Sequence, residues 1–291
     1  MGINAGAMTL LLEESRRRPF SGSIVTLGRQ TILGSRARIG RLLGGYGRTP
    51  PAAMTDGGNG VDDQALFQAM GFSEVVSLDA SPFEGATRLL DLNAAETPPD
   101  LIGRFDVALD GGTLEHVFHI PNALAHLGRM VRPEGRIIHI SPSSNFFDHG
   151  FYMFSPTLFF DYYQANGGRV DSARVIRQDS DGATWEVFDY HPRTWRCFPV
   201  GGLDGKAYLT FVVATAGETP PAVACPQQGY YRDAWHGGDD VPQGTVPARL
   251  RARLAALPGG LSMARRLRSF LRWLATGTVF GKRRLMRIRN E

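Results

Sequence analysis

Short apolar runs, most of them closed by a glycine or an acid, alternate with helix-compatible segments through the first half of this 291-residue chain. A short run made up mostly of apolar residues is typical of a strand buried on both faces of a sheet. Such runs occupy residues 23–27, 74–79, 86–92, 105–110 and 135–141, and the helical segments cover residues 31–43, 61–70 and 121–131. The alternation predicts a parallel sheet with helices on both of its faces.

The second half of the chain changes pattern after a predicted helix at residues 156–165. Three strand-like segments, residues 169–177, 184–190 and 207–214, follow without helices between them. Adjacent strands that lack a crossover helix pair antiparallel. The predicted fold is therefore α/β, a doubly wound, Rossmann-like and mostly parallel sheet with an antiparallel terminal edge hairpin.

Length and composition predict one α/β domain with extensions. We assign residues 1–20 to an N-terminal extension that holds a short amphipathic helix (7–18), 21–215 to the domain, 216–245 to a linker or cap, and 246–291 to a basic tail. Cys197 and Cys225 lie 28 positions apart without a Cys/His cluster, which argues against a structural zinc site and a disulfide-stapled domain. The start of the chain does not have the pattern of a signal peptide, and no apolar stretch is long enough for a membrane span, so we expect a cytoplasmic protein.

Polar residues and glycines follow the predicted strands at their carboxyl ends, where ligands bind in a doubly wound sheet. Gly28 allows the backbone to approach a ligand closely, and an acid after the second strand can accept hydrogen bonds from ribose hydroxyls. The candidate cofactor-binding residues are Gly28, Arg29, Gln30, Asp79, Ala80, Asp91, Leu92, Asp110, Gly111 and Gly112.

Two segments resemble the class I S-adenosylmethionine-dependent methyltransferases of the small-molecule type. They are VVSLDAS (75–81) and FDVALDGGTLEHVFHIPNALAHLGRMVRPEGRIIHIS (105–141). The resemblance covers about 120 residues, and its most specific parts are LEHV and MVRPEGR. It implies S-adenosylmethionine as the cofactor, with Asp79 on the ribose, Asp91 on the adenine and Asp110 to Gly112 near the methionine part.

The first loop departs from this family. The family pattern is (D/E)xGxGxG, whereas this chain reads TLGRQT (26–31), with one glycine and no acid. Either Gln30, Asp110 and backbone carbonyls replace the missing acid, or cofactor binding is weak, or the domain is a catalytically degenerate binding or scaffold protein. The same loop argues against a nicotinamide dehydrogenase, whose pyrophosphate needs a glycine-rich turn.

Histidines near the ends of the fourth and fifth strands are the candidate catalytic residues. A hydroxyl acceptor needs a base with a pKa near neutrality, and histidine supplies it. The candidates are His116 and His119 after the fourth strand, and His149 in an aromatic-rich segment that suits a substrate-covering lip; we favour His149 and His116. We predict no metal site, because Gly112 stands three positions before Glu115, where metal-binding relatives carry an acid.

The tail carries most of the positive charge of the chain. From Val246 to Glu291 there are twelve Arg or Lys and one acid, a net charge of +11, while the remaining residues carry −7 of the total of +4. Residues 262–276 form an amphipathic pattern that suits an anionic membrane surface, RNA, or packing on the domain itself. A nucleic-acid substrate is disfavoured, because DGGT (110–113) stands where nucleic-acid methyltransferases carry (N/D)PP(Y/F).

These features predict an S-adenosylmethionine-dependent methyltransferase that acts on a small molecule or a saccharide at oxygen. The alternative is the degenerate binding or scaffold protein, and cofactor binding distinguishes the two. The expected partners are the small substrate and, through residues 246–291, an anionic membrane surface that the protein contacts peripherally.

Overall fold

The computed structural model describes residues 2–50, 61–179, 182–192, 205–218, 223–235 and 284–290, together with residues 263, 266, 267 and 270. Within this part of the chain, nine strands form one mixed sheet, with helices on both faces. The strands are β1 (Ser23–Leu27), β2 (Glu74–Asp79), β3 (Arg88–Leu89), β4 (Phe105–Asp110), β5 (Val131–Ser144), β6 (Arg169–Gln178), β7 (Thr184–Asp189), β8 (Ala207–Thr215) and β9 (Arg284–Arg289). The α-helices are α1 (Ala5–Arg17), α2 (Arg36–Gly45), α3 (Asp63–Met70), α4 (Ile120–Met130), α5 (Pro156–Ala165) and α6 (Gly229–Trp235).

The strand order is β3-β2-β1-β4-β5-β8-β6-β7-β9. Strands β1 to β5 are parallel, and β8 lies antiparallel between β5 and β6. The predicted mostly parallel sheet with an antiparallel end is therefore confirmed, and the reversed strand is inserted next to β5. The order reverses between β1 and β4, which places the ligand crevice at the carboxyl ends of these two strands.

The N-terminal helix belongs to the core of the domain. The Asn4 side chain caps α1 by accepting a hydrogen bond from the Ala7 backbone N–H (2.9 Å), and Met8 and Leu10 are completely buried. Helices α1 to α3 cover one face of the sheet, and α4 and α5 cover the other. Because helices cover both faces, all five residues of β1 are buried, including the polar Ser23 and Thr26.

Helix α2 and strand β3 differ in extent from the sequence-based prediction. Helix α2 begins five residues later than predicted, because Ser35 caps it and Ile32 forms a β-bridge with Ile3 instead. Strand β3 has two residues where seven were predicted, because Asp91 turns the chain by accepting a hydrogen bond from the Asn93 backbone N–H (2.9 Å).

The end of the basic tail is part of the sheet. Strand β9 pairs antiparallel with β7, and the side chain of Asn290 accepts a hydrogen bond from the Gly6 backbone N–H (2.7 Å). Deletion of residues 246–291 would therefore remove an edge strand. Most of the predicted amphipathic helix (262–276) lies outside the described residues. In the part of the chain that the structure describes, no helix combines the length and the apolar character needed to cross a membrane.

A buried histidine of helix α4 is expected to make the stability of the fold sensitive to pH. His126 is completely buried, and its Nε2 lies 2.8 Å from the Ala94 carbonyl oxygen, which can only accept a hydrogen bond. Nε2 therefore carries the proton, and Nδ1 accepts from the Thr97 hydroxyl (2.7 Å). Burial lowers the pKa of His126, so the folded protein holds this side chain neutral.

We expect this histidine to destabilise the protein as the pH falls below about 6.5, the ordinary pKa of histidine in the unfolded chain. In that range the unfolded state binds a proton that the folded state does not. The His126→Gln variant should show a weaker decrease in the free energy of unfolding between pH 7.5 and pH 5.5. Equal decreases in wild type and variant, measured by urea denaturation, would contradict the assignment.

Candidate active site

The carboxyl ends of β1, β2 and β4 meet at the switch point of the sheet, where doubly wound folds bind ligands, and we call this place the groove. Gly28 ends β1 with a φ of +73°, a conformation that favours glycine, and its N–H donates to the Leu78 carbonyl (2.6 Å). A side chain at this position would point toward the Thr113 hydroxyl and the Asp79 carboxylate, 3.5 and 3.9 Å from its Cβ. Gly28, which the sequence predicts at this position, therefore lies between Thr113 and Asp79 in the groove.

Gln30 lies against the same groove and is buried. Its Nε2 donates to the Leu27 carbonyl (2.9 Å), and its backbone N–H donates to the Asp63 carboxylate (2.8 Å). Its carbonyl oxygen Oε1 is buried and has no hydrogen-bond partner among the described residues. A Cβ at Gly111 would lie 2.2 Å from this oxygen, so only glycine fits there. The wall of the groove thus contains a buried acceptor that has no partner among the described residues.

Arg29 is paired with acids of α3 and its N-terminal cap. Its guanidinium lies 2.7 Å from carboxylate oxygens of both Asp62 and Asp63, and Asp63 is completely buried. These contacts hold the first loop against α3. The positive charge of Arg29 is therefore compensated within the protein.

The acids after β2 and β3 differ in exposure. Asp79 is half-buried, and its Oδ1 accepts from the Ser81 backbone N–H (3.0 Å), while Oδ2 faces Gly28. Asp91 is exposed, and hydrogen bonds from the backbone and side chain of Asn93 lower its pKa. Ala80 follows Asp79 on the surface, and Leu92 is buried beside Asp91. Asp91 is therefore charged near neutral pH, and both acids lie on the side of the sheet where β2 and β3 end.

The sequence predicts no role for Asn93, which follows the Asp91 turn. Its side-chain oxygen accepts from the His119 backbone N–H (3.0 Å), and its carbonyl accepts from the Asn122 side chain (2.7 Å). These bonds fasten the loop after β3 to the start of α4. Asn93 thereby fixes the position of the Asp91 turn at the rim of the groove.

Asp110 points into the protein and not into the groove. Its completely buried carboxylate accepts from the Thr113 and Leu114 backbone N–H groups (3.0 and 3.2 Å), from His139 Nδ1 (3.1 Å) and from the Ser141 hydroxyl (3.0 Å). Burial raises the pKa of Asp110, but these hydrogen bonds lower it more, so that its pKa lies below the ordinary value. The Asp110 side chain is therefore not directed toward a ligand. Any contact of residues 110–112 with a ligand would be made by their backbone atoms.

The network under Asp110 continues through His139 to a buried tyrosine. His139 Nε2 lies 2.6 Å from the Tyr163 hydroxyl, and burial raises the pKa of Tyr163 well above its ordinary value. The chain of Asp110, His139 and Tyr163 joins β4, β5 and α5 under the site. No local sequence signal marks it, because the three residues come together only through strand pairing and helix packing.

Glu115 meets His116 and His149 where the loops after β4 and β5 join. His149 Nε2 lies 3.4 Å and His116 Nε2 3.9 Å from Glu115 Oε1. The Glu115 side chain is completely buried; this burial and the charge of Asp110 raise its pKa to about 8. The two catalytic candidates of the sequence are thus brought together, whereas His119 lies outside this group, which we call the Glu115 cluster.

Exposed aromatic rings surround the Glu115 cluster. Phe118, Phe147 and Phe151 are 61%, 86% and 68% exposed, and the Phe118 and Phe151 rings contact edge to face at 5.9 Å. Phe146 packs beside His149, with ring centroids 5.6 Å apart. Exposed aromatic side chains beside buried polar groups are typical of a binding surface for an organic molecule.

No family model and no curated protein sequence matches this chain. Among solved structures, a protein from a study of disulfide-to-thioacetal conversion in echinomycin biosynthesis aligns at 13% identity over 76% of this chain and 84% of its own, with a TM-score of 0.42. The Burkholderia thailandensis 1,6-didemethyltoxoflavin-N1-methyltransferase, with S-adenosylhomocysteine bound, aligns at 17% identity over 72% and 76%, with a TM-score of 0.38. The branched-chain polyamine synthase of Thermus thermophilus, in complex with 5'-methylthioadenosine, aligns at 12% identity over 78% and 61%, with a TM-score of 0.40.

These identities and TM-scores are too low to indicate an activity. The strand order and the reversed strand β8 between β5 and β6 define the fold by themselves. The chain has the doubly wound, Rossmann-like fold of the class I methyltransferases, as its sequence predicts.

Proposed function

We propose that this protein is an S-adenosylmethionine-dependent methyltransferase that acts on a hydroxyl group of a small molecule or a saccharide. The observation that carries the proposal is the groove at the ends of β1, β2 and β4. It combines a buried, uncommitted acceptor, Gln30 Oε1, with a half-buried carboxylate, Asp79, across a glycine-lined gap. S-adenosylmethionine, when bound, supplies a methyl group on a positively charged sulfur that needs no further activation.

The missing acid of the first loop has a substitute in this groove. The amino group of the cofactor is a cationic donor, and Gln30 Oε1 is a buried oxygen without a donor among the described residues. An unpaired buried carbonyl is costly, so the pairing would stabilise both partners. Gly111 keeps a side chain away from this oxygen, because a Cβ there would lie 2.2 Å from it.

The acids after β2 and β3 suit the nucleoside part of the cofactor. Asp79 has an oxygen directed toward Gly28 that can accept hydrogen bonds from a ribose diol. Asp91 is held at the rim by Asn93, with its charge available to an exocyclic amine. Ala80 and Leu92 supply apolar contacts beside these two carboxylates.

The Glu115 cluster suits the acceptor side of the reaction. A hydroxyl group must lose its proton as it attacks the methyl group, and Glu115, His116 and His149 are groups near the groove that can handle it. The exposed rings of Phe118 and Phe151 would hold the body of the acceptor. Alignment of the two reactants then supplies much of the rate enhancement.

Binding of S-adenosylhomocysteine is the direct test. We expect calorimetry to show one site per chain, and the Asp79→Ala variant to lose roughly 1.5–3 kcal/mol of binding free energy, because it removes the hydrogen bonds to the ribose. The ligand should also raise the melting temperature of the wild type.

Glu84→Ala is the matched control for Asp79→Ala. Glu84 is an exposed acid in the loop that follows Asp79, and its removal should leave the affinity unchanged. Absence of binding to the wild type would contradict the methyltransferase proposal and favour the degenerate binding protein. Equal losses in the two variants would show that Asp79 acts through net charge and not as a ligand.

A further inference from the structure

We propose that Glu115, His116 and His149 bind a divalent transition-metal ion. Each residue offers one ligand atom, and the three atoms lie within 4.8 Å of one another. Two imidazole nitrogens and one carboxylate oxygen form a recurrent donor set for such ions in proteins.

The ligand atoms lie within 4.8 Å of one another, and a movement of the His116 ring would bring them to the spacing that an ion requires. Metal bonds of about 2.0–2.2 Å place neighbouring ligands around an ion roughly 3.0–3.5 Å apart. The 3.4 Å between His149 Nε2 and Glu115 Oε1 already has this length. The 3.9 Å between His116 Nε2 and Glu115 Oε1 requires a movement of a few tenths of an ångström, and the half-exposed His116 ring has room for it.

Three polar atoms of the Glu115 cluster are buried without a hydrogen-bond partner among the described residues. Neither carboxylate oxygen of Glu115 has a hydrogen-bond partner among the described residues, and the same is true of His149 Nε2. Buried polar atoms are almost always paired, so three such atoms at one place need an explanation. A cation between them would provide a partner for the carboxylate and for the imidazole together.

The loop after β5 is fastened so that His149 faces Glu115. The Glu115 carbonyl accepts from the backbone N–H groups of Phe151 and Tyr152 (2.7 and 3.2 Å). A Cβ at Gly150 would lie 2.8 Å from the same carbonyl, so glycine permits this close approach. The cluster is therefore held by the backbone and does not depend on flexible surface side chains.

The donor set indicates the kind of ion and its role. Nitrogen ligands favour Zn²⁺, Co²⁺ or Fe²⁺ over Mg²⁺ and Ca²⁺, which prefer oxygen. Three protein ligands leave at least one open position, as in catalytic zinc sites. An acceptor hydroxyl bound at the open position would lose its proton more easily. This catalytic role rests on the proposed function, whereas metal binding itself does not.

The test uses the full chain, stripped with a chelator and titrated with Zn²⁺ and with Co²⁺ by calorimetry. We expect one saturable site per chain and a Co²⁺ absorption spectrum typical of nitrogen and oxygen ligands. Loss of an outer-shell partner typically lowers metal affinity about 10- to 100-fold. The His149→Ala variant, which loses a direct ligand, should show a larger decrease in Zn²⁺ affinity. Glu115→Gln, which keeps the size of the side chain, should show the same loss.

His119→Ala is the matched control, since His119 lies close in sequence but outside the cluster. It should bind Zn²⁺ like the wild type, and circular dichroism should show all variants folded. No saturable binding by the wild type, or equal binding by wild type and His149→Ala, would overturn the metal site. The S-adenosylhomocysteine titration separates the two proposals: its binding without metal binding refutes only the metal site, and the reverse result refutes only the methyltransferase.

Discussion

Replacement of His149 with alanine is expected to lower the rate of methyl transfer about 100- to 10,000-fold, while the affinity for S-adenosylhomocysteine stays nearly unchanged. His149 lies 3.4 Å from the buried Glu115 carboxylate, and both follow strands that end at the ligand crevice. Loss of this imidazole breaks the group that handles the proton of the acceptor. The residues that suit the cofactor lie on other loops and remain in place.

The measurement is a single-turnover rate for each variant, with the cofactor affinity determined by calorimetry on the same preparation. His119→Ala serves again as the control and should retain the rate of the wild type. A His149→Ala enzyme with an unchanged rate would show that alignment of the reactants suffices without this cluster. A parallel loss of rate and cofactor affinity would instead show that the loop after β5 helps to form the cofactor site.

Replacement of Arg136 with alanine should destabilise the fold by about 3–5 kcal/mol, since it leaves a buried charge without its partner. Arg136 is 4% exposed, and it lies 3.3 Å from the Glu14 carboxylate. Its guanidinium also donates to the carbonyls of Arg18 and Pro19 (2.6 and 3.0 Å) and covers the Phe20 ring. Arg136 thus joins the N-terminal helix to the central sheet.

Urea denaturation should show this loss as a lower midpoint. Arg132→Ala is the matched control: Arg132 is half-exposed and pairs with Asp106 (2.9 Å), and an exposed pair contributes about 0–1 kcal/mol. Removal of both buried charges in Glu14→Leu/Arg136→Met should recover part of the stability. Similar midpoints for Arg136→Ala and Arg132→Ala would show that α1 is not held through this contact.

The sequence alone determined the central strands and the polar residues at their carboxyl ends. Strands β1, β2 and β4 lie where the apolar runs predict them, because a strand buried on both faces needs a local run of apolar residues. Glycines and acids directly after such runs stand at the carboxyl edge for the same local reason. Gly28 and Asp79, two of the candidate cofactor residues, lie beside each other at the ends of β1 and β2, and their role in cofactor binding stays a prediction.

Only the tertiary structure decided which strands became neighbours and which way the polar side chains point. Strand β9 joins the sheet from the end of the tail, and α1 packs into the core, through contacts between residues far apart in the chain. Asp110 and Asp79 both end parallel strands. The Asp110 carboxylate is nevertheless buried and accepts four hydrogen bonds, whereas the Asp79 carboxylate is directed toward Gly28.

The Glu115 cluster is the clearest case of a feature that the sequence could not supply. Glu115 and His149 are separated by 34 positions, and β5 and its following loop must fold back over the turn after β4 before the two side chains meet. Local patterns report burial and turns, because these depend on neighbouring residues. A site assembled from two loops depends on strand pairing across the sheet, and so its chemistry became visible only in three dimensions.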